Sequence, residues 1–285
     1  MAILGTGNIG TDLLMKVLRS SRLECRLFAG RNLSSPGMMK ADRLGVPVSS
    51  RGIQGILDRR SELELVFDAT SAQDHLHHAA VLAEVGLLAV DLTPARVGQM
   101  CIPAVNLDEC LAAQNVNMVS CGGQASIPIA AAIARANEDV EYIEAVSSIA
   151  SRSAGPATRI NLDEYLATTE EGLETFSHCR CTKAILILNP AQPCVHMQTT
   201  VLARIKAPDL ERTREAVGAM VKRIQEYVPG YQLILPPMME GNRLAVMVRV
   251  EGRGDYLPKY AGNLDIINCA AIAIAEAYAE KRAVA

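Results

Sequence analysis

The sequence predicts an α/β protein in which a Rossmann-type, doubly wound parallel sheet precedes an α+β domain. Three observations carry this expectation. A glycine turn separates a short apolar run from an amphipathic stretch at the head of the chain. Apolar runs and helical stretches then alternate as far as residue 120. Beyond it, apolar runs of strand character cluster around two long helical stretches, which suits a mostly antiparallel sheet.

The composition narrows the function classes. With 285 residues the chain can hold about two domains of ordinary size. Its 49% hydrophobic content and net charge of -3 exclude intrinsic disorder. Lys+Arg (28) is slightly outnumbered by Asp+Glu (31), and the chain has no Trp, so neither a basic nucleic-acid surface nor base-stacking platforms are expected. The most membrane-like run, residues 269–279, is broken by Glu276 and is too short to span. Eight cysteines are scattered without a small-domain disulfide framework, and no secretory segment precedes the glycine turn. Free thiols in a reducing cytoplasm are the expectation.

The glycine turn reads Gly5-Thr6-Gly7-Asn8-Ile9-Gly10. Its first glycine permits the tight turn, the second admits a pyrophosphate to the backbone, and the third lets helix pack closely on strand. A second strand, at residues 25–30, ends in Arg31, Asn32, Ser34 and Ser35. NAD enzymes usually carry an acidic residue about 20 residues past the glycines, for the ribose diol. Arg31 stands there instead, which fits either a 2′-phosphate, and so NADP, or a solvated loop charge. Residues 63–69 and 87–92 read as buried strands flanking a helix at 74–85. His75, His77 and His78 do not share one face of that helix, so a surface helix and no metal site are expected.

Residues 115–120 read as a strand that delivers Cys121-Gly122-Gly123 to the start of an alanine-rich helix, with Pro128 near its first turn. The helix terminus would lower the thiol pKa, and the glycine N–H groups would hold an oxyanion. Among the eight cysteines, Cys121 alone has this setting of a nucleophile. His178-Cys179-Arg180-Cys181 offers too few ligands for zinc, and Cys194-Val195-His196 reads as strand packing. In the second half, residues 139–153, 184–188, 195–205 and 244–251 read as strands, 161–179 and 209–227 as helices, and 232–243 as a connection. A final alanine-rich helix covers 264–282.

Several stretches together resemble the CoA-acylating acetaldehyde dehydrogenases. They are the glycine turn, Phe67-Asp68-Ala69-Thr70-Ser71-Ala72, Asp91-Leu92-Thr93-Pro94, and the segment from Val116 through Cys121 to Pro128. Residues 153–164, 184–191, 227–231 and 256–266 complete the match, which runs along the whole chain. The resemblance implies a Rossmann domain (1–120), a catalytic and dimerisation domain (121–262) and a C-terminal helix (263–285) returning to the first. It implies a Cys121 acyl-thioester, NAD as cofactor, coenzyme A as co-substrate and a homodimer. It also implies nicotinamide contacts from Thr6, Gly7, Asn8 and Ile9, from the segment Ser153, Ala154, Gly155, Pro156, Ala157, Thr158, Arg159, Ile160 and Asn161, and from Asn263. Relatives pass aldehyde from a 4-hydroxy-2-oxovalerate aldolase-type partner.

Two departures bear on chemistry. Arg31 replaces the acidic residue of many relatives, and Thr199 replaces an acidic residue thought to assist catalysis. Two alternatives stay open: a semialdehyde dehydrogenase acting on an acyl phosphate, and a non-catalytic nucleotide-binding partner of an aldolase.

Overall fold

The computed structural model describes residues 1–284, with the side chains of Pro156, Ala157 and Val284 outside the described set. The first layer is built from β1 (Ala2–Leu4), α1 (Asn8–Val17), β2 (Leu27–Ala29), α2 (Pro36–Arg43), β3 (Val48–Ser49) and α3 (Ile53–Leu57). It continues through β4 (Leu65–Asp68), α4 (Ala72–Glu84), β5 (Leu88–Asp91), β6 (Gln99–Met100), α5 (Pro103–Cys110) and β7 (Asn115–Asn117). The seven strands pair in parallel in the order β3-β2-β1-β4-β5-β7-β6. The order in which strands are added reverses between β1 and β4, and the crevice beyond the strand ends there is where such sheets bind ligands. Strands β1, β4 and β5 are buried on both faces, which is why each reads as an uninterrupted apolar run closed by a turn.

The second layer holds α6 (Cys121–Ala136), β8 (Val140–Ala150), α7 (Pro156–Ile160), α8 (Leu162–Ser177), β9 (Thr182–Asn189) and β10 (Met197–Ile205). After them come α9 (Leu210–Gln225), β11 (Tyr231–Glu240), β12 (Arg243–Val250) and the last helix, α10 (Gly262–Val284). Their sheet runs β11-β12-β10-β8-β9, antiparallel except for the β8–β9 pair. Residues 232–243 are therefore largely strand, not the expected connection. Pro236 and Pro237 hide it in the sequence, yet β11 is an edge strand, where a missing N–H is tolerated and the pairing slips through irregular register. The outward face of this sheet leaves Ile185, Ile187, Ile234 and Met238 exposed.

Helix α6 is the shared core element, packing on α8, α9 and α10. Ala130, Ala131 and Ala132 are buried, and their small side chains allow these close approaches. The helix begins at Cys121, so Pro128 lies inside it and not in the first turn. Ser120 fixes that start by accepting a hydrogen bond from the Gly123 N–H at 2.8 Å.

Helix α10 returns to α1, and the contact is held by a buried cation. Lys16 Nζ lies 2.8 Å from Asp12, 3.1 Å from Asp255 and 2.7 Å from Asp265, with its side chain 4% exposed. Despite burial, which works against the charge, Asp265 and Asp12 push the ammonium pKa up. Lys16→Met leaves these carboxylates without their shared cation and is expected to cost about 3–5 kcal/mol. Urea denaturation reads this directly, and an unchanged midpoint would show that the cluster carries no stability.

Candidate functional site

The glycine turn is shaped by close backbone approaches. Gly5 has φ +106°, and a Cβ on it would meet the Ala69 carbonyl oxygen at 2.5 Å. A Cβ on Gly10 would fall 1.9 Å from the Gly5 carbonyl oxygen, whereas Gly7, the N-cap of α1, faces open space. The turn thus gives an anion a clear path to the α1 terminus. It forms one wall of a groove of about 870 Å³. Gly5, Thr6, Gly7, Arg31, Asn32, Ser50, Arg51, His78, Ile160 and Asn161 line that groove. Arg31 and Arg51 are both exposed at its end, and Arg51 is paired with Asp58.

A smaller cavity of about 70 Å³ adjoins it, lined by Cys121 with Ile9, Thr93, Thr158, Tyr165 and Asn263 among others. Ala69, Thr70, Ser71 and Asn161 line both spaces, so the groove and the thiol share a wall. Three features build the thiol's seat. Val119 takes φ +61°, a left-handed conformation costly for a β-branched residue, held by its N–H bond to Asn117 Oδ1 at 2.7 Å. Ser120 caps α6 and bonds Thr169 Oγ1 at 2.7 Å. The Tyr165 hydroxyl, reaching in from α8, lies 3.8 Å from Cys121 Sγ. Asn263 is buried, and neither polar atom of its amide has a partner. A buried amide left in that state is matched by a ligand amide or oxyanion.

Comparison with known proteins decides the family. The dimerisation region of prokaryotic acetaldehyde dehydrogenases matches residues 121–258. The acetaldehyde dehydrogenase of Spirochaeta aurantia is 58% identical over 280 residues, covering 98% of this chain and 94% of that protein. The chain belongs to the acylating acetaldehyde dehydrogenases. The acetaldehyde dehydrogenase of Pectobacterium atrosepticum is likewise 58% identical, over 97% of this chain and 94% of its own. Among solved structures, aspartate semialdehyde dehydrogenase II from Vibrio cholerae overlays with TM-score 0.65 at 15% identity, covering 96% of each chain. That likeness concerns the fold.

In this acylating acetaldehyde dehydrogenase the residues singled out from sequence separate into groups. Gly5, Thr6, Gly7 and Arg31 face the groove, Cys121, Thr158, Ile9 and Asn263 the thiol cavity, and Asn161 both. Asn8 is exposed at the start of α1, and Gly10 packs beneath the turn. Gly155 and the buried Ala154 belong to the connection ahead of α7. Ser153 is buried and bonds the Ala150 carbonyl, while Arg159 folds back on Ser151 and Ala154 and so pins its own loop. The side chains of Pro156 and Ala157 lie outside the described residues. Tyr165 carries no local motif, and only the assembled fold brings it to the sulfur.

Two sequence expectations are corrected here. The helix bearing the histidines is not a surface helix throughout: His75 and His78 are buried, and both Nδ1 atoms lie 2.8 Å from Asp68 Oδ2. His75 Nε2 lies 3.4 Å from Asp91. Burial pushes Asp91 up to about 7. Asp68, although buried, is held well below the carboxylate range by hydrogen bonds from His75, His78 and Thr70. These groups brace the ends of β4 and β5, from which Thr70, Ser71 and Thr93 project into the cavities.

The second correction concerns the thiol. Burial pushes Cys121 up to about 11, outweighing hydrogen bonds from Tyr165 and the Gly122 and Cys121 N–H groups. The helix terminus does not compensate, and the Gly123 N–H is spent on Ser120. In the ligand-free protein at pH 8, iodoacetamide is therefore expected to label the exposed Cys181 before Cys121. Peptide mass spectrometry measures the order, and Cys121 labelling first would contradict a protonated resting thiol.

Proposed function

We propose that the chain interconverts a short aldehyde and its acyl-CoA, using Cys121 as nucleophile and the glycine-turn groove as the nicotinamide cofactor's seat. The observation that carries this reading is the shared wall: the thiol cavity opens onto a dinucleotide-sized groove through Ala69, Thr70, Ser71 and Asn161. The groove's fit rests on the open Gly7 approach and on the unpartnered Asn263 amide, which suits a carboxamide. When bound, the cofactor supplies or removes the hydride.

The protein's own part follows from its geometry. Cys121 Sγ adds to the aldehyde carbon to give a thiohemiacetal, and the Gly122 N–H, beside the sulfur, is the backbone donor nearest to the developing oxyanion in this reading. Oxidation leaves a thioester on Cys121, which the CoA thiol then exchanges with little change in energy, since one thioester replaces another. Reduction of an acyl-CoA runs the same steps backwards. A cavity of about 70 Å³ suits an acyl group of a few atoms. It carries no histidine, lysine or arginine among the described lining residues, which favours a thioester over an acyl phosphate.

At the adenosine end, Arg31 with Arg51, Asn32 and Ser50 favours a 2′-phosphate, and so NADP alongside NAD. The unit boundaries proposed are 120/121 and 262/263. The homodimer pairs through the exposed Ile185, Ile187, Ile234 and Met238 face, and an aldolase-type partner remains part of this reading through the family resemblance.

The test is NADH and NADPH oxidation with a series of acyl-CoAs. Wild type is expected to turn over acetyl-CoA, and Cys121→Ala to lose turnover by at least about 1,000-fold. Arg31→Asp is expected to weaken NADPH about 10-fold or more in KM while sparing NADH. Full activity in Cys121→Ala, or equal effects of Arg31→Asp on both cofactors, would overturn the respective assignment.

A further inference from the structure

The thiol cavity holds an unusual chemical problem. Its nucleophile is a buried, protonated thiol, yet apart from Cys121 and Tyr165 no titratable side chain lines the cavity among the described residues. Thr199 is a buried hydroxyl that bonds Ser147 Oγ at 2.9 Å. Ser147 in turn bonds the Tyr165 phenol. Tyr165 is the side chain bonded to Cys121 Sγ, at 3.8 Å. A Cβ on Gly122 would fall 2.1 Å from the phenol oxygen and 3.1 Å from Ser147 Oγ. The phenol thus occupies the space that this glycine leaves vacant on the first turn of α6.

We propose that the Tyr165 hydroxyl relays the Cys121 proton, in the place a carboxylate or imidazole would otherwise take. The proposal rests on Cys121 being the nucleophile. As the C–S bond forms, the S–H proton passes to the Tyr165 oxygen, and the Tyr165 O–H proton passes to the carbonyl oxygen, which takes the C=O π pair and so carries negative charge only in passing. Tyrosine ends neutral, and nothing is oxidised or reduced in this step. Breaking the C–S bond of this adduct reverses both transfers; where the hydride leaves instead, the adduct's O–H proton is released as the C=O bond re-forms and the sulfur stays bonded. In thiol exchange, the CoA S–H proton reaches Cys121 by the same hydroxyl as the new C–S bond replaces the old one. A phenolate is not needed, and burial, which pushes the phenol well above its ordinary pKa, disfavours one. Ser147 and Thr199 orient the hydroxyl, so Tyr165 meets the reacting sulfur directly while those two are positioning residues.

The test is single-turnover acylation of Cys121 by acetyl-CoA, read by intact-protein mass spectrometry across pH. Tyr165→Phe keeps the ring and is expected to slow acylation about 100-fold, with little change in the KM for acetyl-CoA. Replacing Tyr165 by 3-fluorotyrosine, whose phenol is more acidic, keeps the hydroxyl and is expected to move the alkaline limb of the acylation profile to lower pH. A merely structural tyrosine would not move that limb. Wild-type acylation in Tyr165→Phe, or an unmoved profile with 3-fluorotyrosine, overturns the relay. With Cys121→Ala inactive, either result overturns the relay alone; an active Cys121→Ala overturns the nucleophile and the relay with it.

Discussion

The hydrogen bond from the Gly123 N–H to Ser120 Oγ determines where α6 begins, and the rest of the molecule is arranged around that start. One residue later along the backbone would turn Cys121 by about 100° and take the thiol out of the cavity. The cap is itself held from two sides. Thr169 on α8 bonds the Ser120 hydroxyl, and Val119 accepts a left-handed backbone to deliver the chain at the needed angle. Strain at Val119 is sustained because α6 is packed along its length by α8, α9 and α10. The first turn can present a thiol to the cavity because the remaining turns are core.

Burial sets the terms of that chemistry. Burial keeps the resting thiol protonated, and it also leaves the Asn263 amide without partners. An unmatched buried amide costs about 1–3 kcal/mol, which a ligand that matches it recovers as affinity. The site is therefore tuned to be completed by its ligands. The Asp68–His75–Asp91 cluster behind the cavity is the opposite case, since its buried polar groups are matched to one another and hold the wall rigid.

The parts legible in the sequence are those whose signals are local. The glycine turn is legible because its three glycines stand between a short apolar run and an amphipathic stretch, and Cys121-Gly122 announces itself by standing between a strand and a helix. The buried histidines were misread because a helical face reveals spacing but not the carboxylate that waits beneath it, here Asp68. Strand β11 was masked by Pro236 and Pro237, which only an edge position excuses. Tyr165 lies 44 residues from Cys121 in sequence, so nothing local could pair them. The rise in the thiol pKa was hidden for the same reason, because desolvation is a property of the closed cavity and a helix terminus is a property of the segment.

The wall formed by Ala69, Thr70, Ser71 and Asn161 belongs at once to the glycine-turn groove and to the thiol cavity. A partition a few atoms thick cannot be displaced on one face without the other sensing it. In the proposed reaction, occupancy of the two spaces would be linked through this wall, and any such linkage is reciprocal: whatever a ligand in one space did to affinity in the other, the second would do to the first.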